Sequence, residues 1–109
     1  MFLAQIEDAS ALDHLDAIAA VPEVDVLFVG PQDLSLSLGC AADAPALDAA
    51  IGRVIDAARR HDKAAGLFVT DAALIAPMRA RGVTVFVSGS DQGLLRGGAH
   101  RMMTAARET

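Results

Sequence analysis

The stretch FVGPQDLSLSLG, residues 28–39, ends an apolar run and opens into a glycine, a proline and a lone carboxylate. Gly30 and Pro31 come first, and Gln32 and Asp33 follow directly. A plain turn would use the same residue types, because glycine, proline and aspartate each favour turn geometry. The alternative is a buried strand whose carboxyl end aims a carboxylate into an active site. The rest of the chain has to decide between these two interpretations.

Apolar segments and segments of helical periodicity alternate along the whole chain. The predicted strands cover residues 2–6, 25–30, 63–69 and 83–89, and the predicted helices cover 8–21, 45–62, 70–82 and 90–108. In the longest clear helix, Leu47, Ile51 and Val54 recur at the spacing of a single face. Repeated strand–helix units with almost wholly apolar strands predict a parallel sheet with right-handed crossovers. We therefore expect an α/β fold and one domain over residues 1–109.

Composition excludes several classes of function. The 109 residues carry a formal net charge of −5, whereas a nucleic-acid-binding face is basic. No apolar run approaches the roughly 18 residues of a membrane span. The start, MFLAQIED, reaches a carboxylate early, so a signal peptide is not expected there. The single cysteine, Cys40, allows no internal disulfide, so a reducing cytoplasm is the expected location.

Two carboxylates fall where parallel sheets usually place their chemistry. In such sheets active sites form at the carboxyl ends of the strands. Glu7 follows the first predicted strand and Asp33 follows the second, so the two can converge. Together they could hold Mg²⁺ or Mn²⁺, which accept one or two carboxylates and leave positions for water and substrate oxygens. Helix caps or turns would also use these acids, and spacing alone favours that plainer interpretation.

Other polar residues show weaker patterns. The histidines at positions 14, 61 and 100 lie within or near predicted helices and match no metal-ligand spacing, so they are expected at the surface or in packing. Cys40 has no histidine nearby in sequence, which argues against a nucleophile. The acids at positions 8, 71 and 91 are expected in first helical turns, where they complement the helix dipole.

Three segments carry a resemblance to a known family. The sequences QIE at 5–7, VDVLFVGPQDLSLSLG at 24–39 and FVSGSDQGLL at 86–95 resemble, in this order, the HpcH/HpaI aldolases. These enzymes belong to the phosphoenolpyruvate/pyruvate superfamily of modified (β/α)₈ barrels. The pairing of a Q-x-E strand end with a GP-x-DLS motif is more specific than either motif alone. The resemblance implies a TIM-type barrel, of which this chain holds four of the eight units.

The resemblance also implies a metal-dependent aldolase, which cleaves or forms 4-hydroxy-2-oxo acids to and from pyruvate and an aldehyde. In that family the counterparts of Glu7 and Asp33 hold a divalent metal ion, and Mg²⁺, Mn²⁺ and Co²⁺ all suit such oxygen ligands. Pyruvate would chelate the metal, which acts as a Lewis acid and stabilises the enolate. With the resemblance added, we favour the ligand interpretation of both acids.

Further residues acquire substrate-binding roles from the resemblance. Gln5 would line the pyruvate site. The pair Gly30 and Pro31 would end the strand, so that the backbone N–H groups of Gln32 and its successor face the pyruvate carboxylate. Phe68 would lie near the aldehyde.

The family's first half-barrel carries a histidine near the proton-transfer step and an arginine that steadies the keto oxygen. No residue of this chain matches either one, so no catalytic residue is assigned and the chain alone is expected to be inactive. A half-barrel leaves its outer strands unpaired, which invites association with a missing N-terminal half or with a second copy. Two alternatives to the aldolase are a CoA-ester lyase of the citrate or malyl type, which Pro31 disfavours, and a non-catalytic binding or assembly module.

Overall fold

The computed structural model describes residues 1–108 and contains one four-stranded parallel sheet. The strands are β1 (Leu3–Ile6), β2 (Val26–Val29), β3 (Ala64–Val69) and β4 (Val83–Ser88), hydrogen-bonded in that order. The helices are α1 (Leu15–Ala19), α2 (Pro31–Ser37), α3 (Pro45–Arg60), α4 (Ile75–Arg81) and α5 (Asp91–Arg107), with 3₁₀ turns at Ala9–His14 and Ala72–Leu74. The α/β class and the parallel order predicted from the sequence are confirmed.

The main core lies between one face of the sheet and the helices. Helix α3 contributes the largest share, because its buried residues recur at helical spacing. Its buried residues are Leu47, Ala50, Ile51, Val54, Ile55, Ala57 and Ala58. They pack in one cluster with strand residues such as Ile6, Leu27, Val29 and Leu67.

The other face of the sheet, which we call the inner face, carries Gln5, Phe28, Gly66, Phe68 and Val87. Strand β2 is buried along its whole length, as its apolar sequence predicts. The ring of Phe28 lies over Gly66, where a Cβ atom would come within 2.6 Å of the ring. A glycine is therefore required opposite Phe28.

Two predicted helices are divided in the structure. The segment predicted as a helix over 8–21 begins as a 3₁₀ turn and becomes α-helical only at Leu15. The segment predicted over 70–82 likewise begins as the 3₁₀ turn at Ala72–Leu74, and Pro77 falls in the first turn of α4. Proline is tolerated there because first-turn N–H groups have no partner within the helix.

Helix α2 was missed in the sequence. The Leu/Ser alternation of residues 34–38 obscured a four-residue spacing between Leu34 and Leu38, of which Leu34 is completely buried. Pro31 at the first helical position favours helix initiation. The Gly-Pro-Gln-Asp sequence is thus both a strand end and a helix start.

Helix α5 lies apart from the core. None of its residues 91–107 is buried, and Leu94, Leu95 and Met102 are each more than two-thirds exposed. Met102 and Met103 therefore do not belong to the core of this chain.

Candidate active site at the carboxyl ends of the strands

The structure joins Gln5, Glu7 and Gly30 at the carboxyl ends of β1 and β2. Residue Ile6 pairs with Val29, and the Gly30 amide donates a 3.2 Å hydrogen bond to the Ile6 carbonyl. The side-chain amide of Gln5 donates a 2.7 Å hydrogen bond to Oε2 of Glu7. This bond orients the carboxylate beside the strand end.

Gly30 leaves the space that these two side chains use. A Cβ atom at this position would lie 3.0 Å from the Gln5 amide nitrogen and 3.5 Å from Oε2 of Glu7. The backbone of Gly30 has φ −95°, so its φ does not require glycine. The close approach of Gln5 therefore limits the space for a side chain at this position.

Asp33 lies in the first turn of α2, which begins at Pro31 directly after Gly30. The buried side chain of Leu34 anchors this turn to the core, and the Leu34 amide donates to the Gly30 carbonyl at 3.0 Å. The hydroxyl of the buried Ser35 donates to the Gln32 carbonyl at 2.7 Å. Within residues 1–108, no hydrogen bond or ion pair engages the exposed carboxylate of Asp33.

Phe68 is half-buried in β3, one residue beyond Leu67, the partner of Val29. It is therefore on the inner face, across from the position of Gly30. Of the predicted site residues, Gln5, Glu7 and Gly30 lie in contact with one another. The others lie at the same edge of the sheet, because they follow Gly30 in sequence or lie beside it in the strand register.

Other acids at this edge serve as helix caps. The Asp8 carboxylate accepts from the Ser10 amide at 2.8 Å, and the Asp71 carboxylate accepts from the Ala73 amide at 2.9 Å. The hydroxyl and amide of Ser10, with the hydroxyl of Ser37, lower the pKa of Asp8. Asp8 and Asp71 therefore cap the two 3₁₀ turns from the position before their first residue, and Asp91 lies in the first turn of α5, as expected.

Two carboxylates suit a hard divalent cation, which prefers oxygen ligands and retains water or substrate oxygens in its remaining positions. Glu7 and Asp33 provide this donor set at one edge of the sheet. In the part of the chain that the structure describes, no cluster of three or more His, Cys, Asp or Glu side chains could hold a metal. A cation held by these two carboxylates would therefore take its remaining ligands from substrate, from water or from another part of a complete barrel.

A cleft of about 440 Å³ lies away from this edge, between the first 3₁₀ turn, α1 and α3. The cations at its rim are engaged: Arg60 bonds to Asp16 at 2.8 Å, and Arg53 bonds to the Leu12 carbonyl at 2.8 Å. His61 also contacts Asp16, at 3.0 Å. These ion pairs connect α1 to α3 and do not form part of the candidate site.

Parallel strand–helix units with carboxylates at adjacent strand ends define an α/β chain of the TIM-barrel type. The family model for HpcH/HpaI aldolase/citrate lyase matches residues 1–97. The chain therefore belongs to the HpcH/HpaI aldolase/citrate lyase family, as the sequence resemblance implied.

Relatives with known names support this membership. The chain is 41% identical over 91 residues to a hydroxypyruvate/pyruvate aldolase from Paraburkholderia phytofirmans, a match that covers 82% of the chain and 35% of the relative. It is 33% identical over 108 residues to a 5-keto-4-deoxy-D-glucarate aldolase from Klebsiella pneumoniae, covering 97% of the chain and 42% of the relative.

A solved structure shows the same fold. A HpcH/HpaI aldolase/citrate lyase family protein from Burkholderia cenocepacia superimposes with a TM-score of 0.91 at 33% identity, covering 96% of this chain and 42% of that one. The chain thus spans about two-fifths of the length of the relatives it matches. Among residues 1–108, no helix combines the length and apolar character needed to cross a membrane.

Proposed function

We propose that the protein acts as a divalent-metal-dependent aldolase that cleaves or forms 4-hydroxy-2-oxo acids to and from pyruvate and an aldehyde. The observation that carries this proposal is the oriented carboxylate of Glu7, which lies beside the glycine that begins the Asp33 turn. The aldolase names of the relatives support the reaction class.

Glu7 and Asp33 would hold the cation, and Mg²⁺, Mn²⁺ or Co²⁺ suits their oxygen donors. When bound, the cation would supply Lewis-acid polarisation of the 2-oxo acid. The protein's contribution is to fix the two carboxylates: Gln5 orients Glu7 by its 2.7 Å hydrogen bond, and the buried Leu34 anchors the turn that carries Asp33.

The remaining predicted residues would bind substrate. Gly30 leaves room at the strand end, and Pro31 directs the chain into α2 so that the backbone N–H of Gln32 faces the pyruvate carboxylate. Gln5 would line the pyruvate site. The half-buried ring of Phe68, on the inner face, would form an apolar wall toward the aldehyde.

This chain alone is proposed to be inactive, because no residue within it matches the histidine and the arginine that the family supplies from its first half-barrel. We expect the missing strands to come from the rest of a barrel or from a second copy. A barrel of this class has eight strands, whereas residues 1–108 supply four. Turnover of a 4-hydroxy-2-oxo acid by the chain completed with the rest of a barrel would separate the aldolase from a non-catalytic assembly module.

The second candidate is a CoA-ester lyase, because the family also includes citrate lyases. The proline after Gly30 favours the aldolase branch. Release of free CoA from a citryl or malyl thioester would support the CoA-ester lyase. Cleavage of a 4-hydroxy-2-oxo acid, with no release of CoA from those thioesters, would support the aldolase.

The deciding experiment is a calorimetric titration of Mn²⁺ in the presence of pyruvate. The wild-type chain is compared with Asp33→Asn and with Asp43→Asn, a control that removes an exposed carboxylate from a loop. Binding that is lost in Asp33→Asn and retained in Asp43→Asn would support the site. Equal binding by all three proteins would contradict the assignment of Asp33 as a ligand.

A further inference from the structure

The last residue of α2 is hydrogen-bonded to the loop that follows Glu7. The hydroxyl oxygen of Ser37 accepts a 2.9 Å hydrogen bond from the Ala9 amide. The same hydroxyl donates to Oδ2 of Asp8 at 3.3 Å. Ser37 therefore connects two segments that are 28 and 29 residues apart in sequence.

These bonds connect the carriers of the two candidate metal ligands. Asp8 is the direct neighbour of Glu7, and α2 carries Asp33 in its first turn and Ser37 at its end. The helix begins after Gly30, whose amide donates to the Ile6 carbonyl of β1, and its middle residues Leu34 and Ser35 are buried. Ser37 supplies a tie at the opposite end, so the helix is restrained at both ends relative to β1.

We propose that Ser37 is a positioning residue, which fixes helix α2 against the β1 loop and thereby sets the spacing of Glu7 and Asp33. This inference rests on the proposed metal site at those two carboxylates. Ser37 itself touches neither of them, so its effect must pass through the helix and through the Asp8 loop. Catalysis and binding depend on such supporting contacts because small displacements of the ligands weaken metal binding.

Ser10 offers a matched control. Its hydroxyl also bonds to Asp8, but to the other oxygen, Oδ1, at 2.5 Å. This bond remains within the loop and does not reach α2. Ser10→Ala and Ser37→Ala therefore each remove one exposed hydroxyl from the same carboxylate, and only Ser37→Ala removes a connection between the two elements.

The first measurement is amide hydrogen exchange by NMR on the metal-free chain. The reporter is the Leu34 amide, which lies three residues before Ser37 and bonds to the carbonyl of Gly30, the residue before the first residue of α2. We expect its exchange to be about fivefold faster in Ser37→Ala, unchanged in Ser10→Ala and restored in Ser37→Thr, which keeps a hydroxyl. Equal exchange in Ser37→Ala and Ser10→Ala would overturn the inference.

The second measurement is the affinity for Mn²⁺ alone, followed by its EPR signal. We expect Ser37→Ala to weaken binding about fivefold to tenfold at an unchanged melting temperature, with Ser10→Ala near wild type. Unchanged affinity in Ser37→Ala would overturn the positioning role. If the wild-type chain binds no Mn²⁺, or if Glu7→Gln binds Mn²⁺ as tightly as wild type, the proposed metal site is wrong. The exchange rate of the Leu34 amide alone then tests whether Ser37 restrains helix α2.

Discussion

The side-chain amide of Gln5 donates a 2.7 Å hydrogen bond to the carboxylate of Glu7, two residues further along the same strand end. Residues two apart in a strand point to the same face, so this pair lies together on the inner face of the sheet. One carboxylate oxygen is therefore held by an amide before any ligand binds, and the side chain loses less freedom when it coordinates a cation.

Replacement of Gln5 by leucine tests this orientation. Gln5 is exposed, so Gln5→Leu is expected to leave the melting temperature near wild type. The affinity for Mn²⁺ should fall about tenfold, because the carboxylate of Glu7 loses its orienting partner. Calorimetry provides both values, and Gln92→Leu, an exposed glutamine on α5, serves as the control. An unchanged affinity would show that the Gln5 bond is incidental.

Gly30→Ala should damage the site without unfolding the chain. The new methyl group would lie 3.0 Å from the Gln5 amide nitrogen, so this side chain must shift and release Glu7. The backbone conformation is accessible to alanine. We expect weaker Mn²⁺ binding with little change in the free energy of unfolding. Gly98→Ala is the control, because its nearest neighbour would be 3.9 Å away. A large loss of stability in Gly30→Ala would contradict this prediction.

Gly66→Ala should destabilise the fold. Its methyl group would lie 2.6 Å from the Phe28 ring and 3.0 Å from a methyl group of Val26, so the free energy of unfolding should fall by about 1–3 kcal/mol. Gly52→Ala, in α3 with its nearest atom at 3.6 Å, should instead stabilise by about 0.5–1 kcal/mol. Urea unfolding measures both. The double variant Gly66→Ala/Phe28→Leu should recover part of the loss, and failure to do so would exclude the ring as the cause.

Stability should fall in acid through Asp16. Hydrogen bonds from Arg60 and then His61 hold the pKa of Asp16 below its ordinary value of 3.8. The folded-state pKa is thus lower than the unfolded-state pKa, so the stabilisation is present above about pH 4 and is lost as the pH falls through the folded-state value. The melting temperature of wild type should therefore drop more between pH 6 and about pH 3 than that of Asp16→Asn. Asp43→Asn should behave as wild type, and parallel curves for all three would refute the role of Asp16.

The isolated chain should associate in solution. Strands β1 and β4 each have one unpaired edge within the described sheet, and Val87 on the inner face of β4 is 44% exposed. Val87→Lys should shift the equilibrium toward the monomer, because a buried lysine at a new contact is costly. Sedimentation equilibrium distinguishes these states, with Thr84→Lys, at an exposed position near the start of the same strand, as the control. A monodisperse wild-type monomer would contradict the prediction.

The periodicity of apolar residues was sufficient to predict the four strands, the parallel sheet and the location of Glu7 and Asp33 at strand ends. These features follow from local patterns, since burial repeats every two residues in a strand and about every 3.6 in a helix. Helix α2 was missed because its serines at positions 35 and 37 masked the spacing of Leu34 and Leu38. Gln5 was predicted to be a site residue, but its hydrogen bond to Glu7 was not predicted.

Only the tertiary structure decided which side chains meet. The hydrogen bond between Gln5 and Glu7 depends on the rotamers at the end of β1. The glycine opposite Phe28 depends on the register of β2 and β3. The hydrogen bond from Ser37 to Asp8 joins residues that are 29 positions apart. Sequence periodicity identifies the face on which a residue lies, but it carries no information on strand register or on contacts between distant segments. The sequence by itself therefore determined the class of fold and the candidate carboxylates, and the packing of its elements determined how those carboxylates are held.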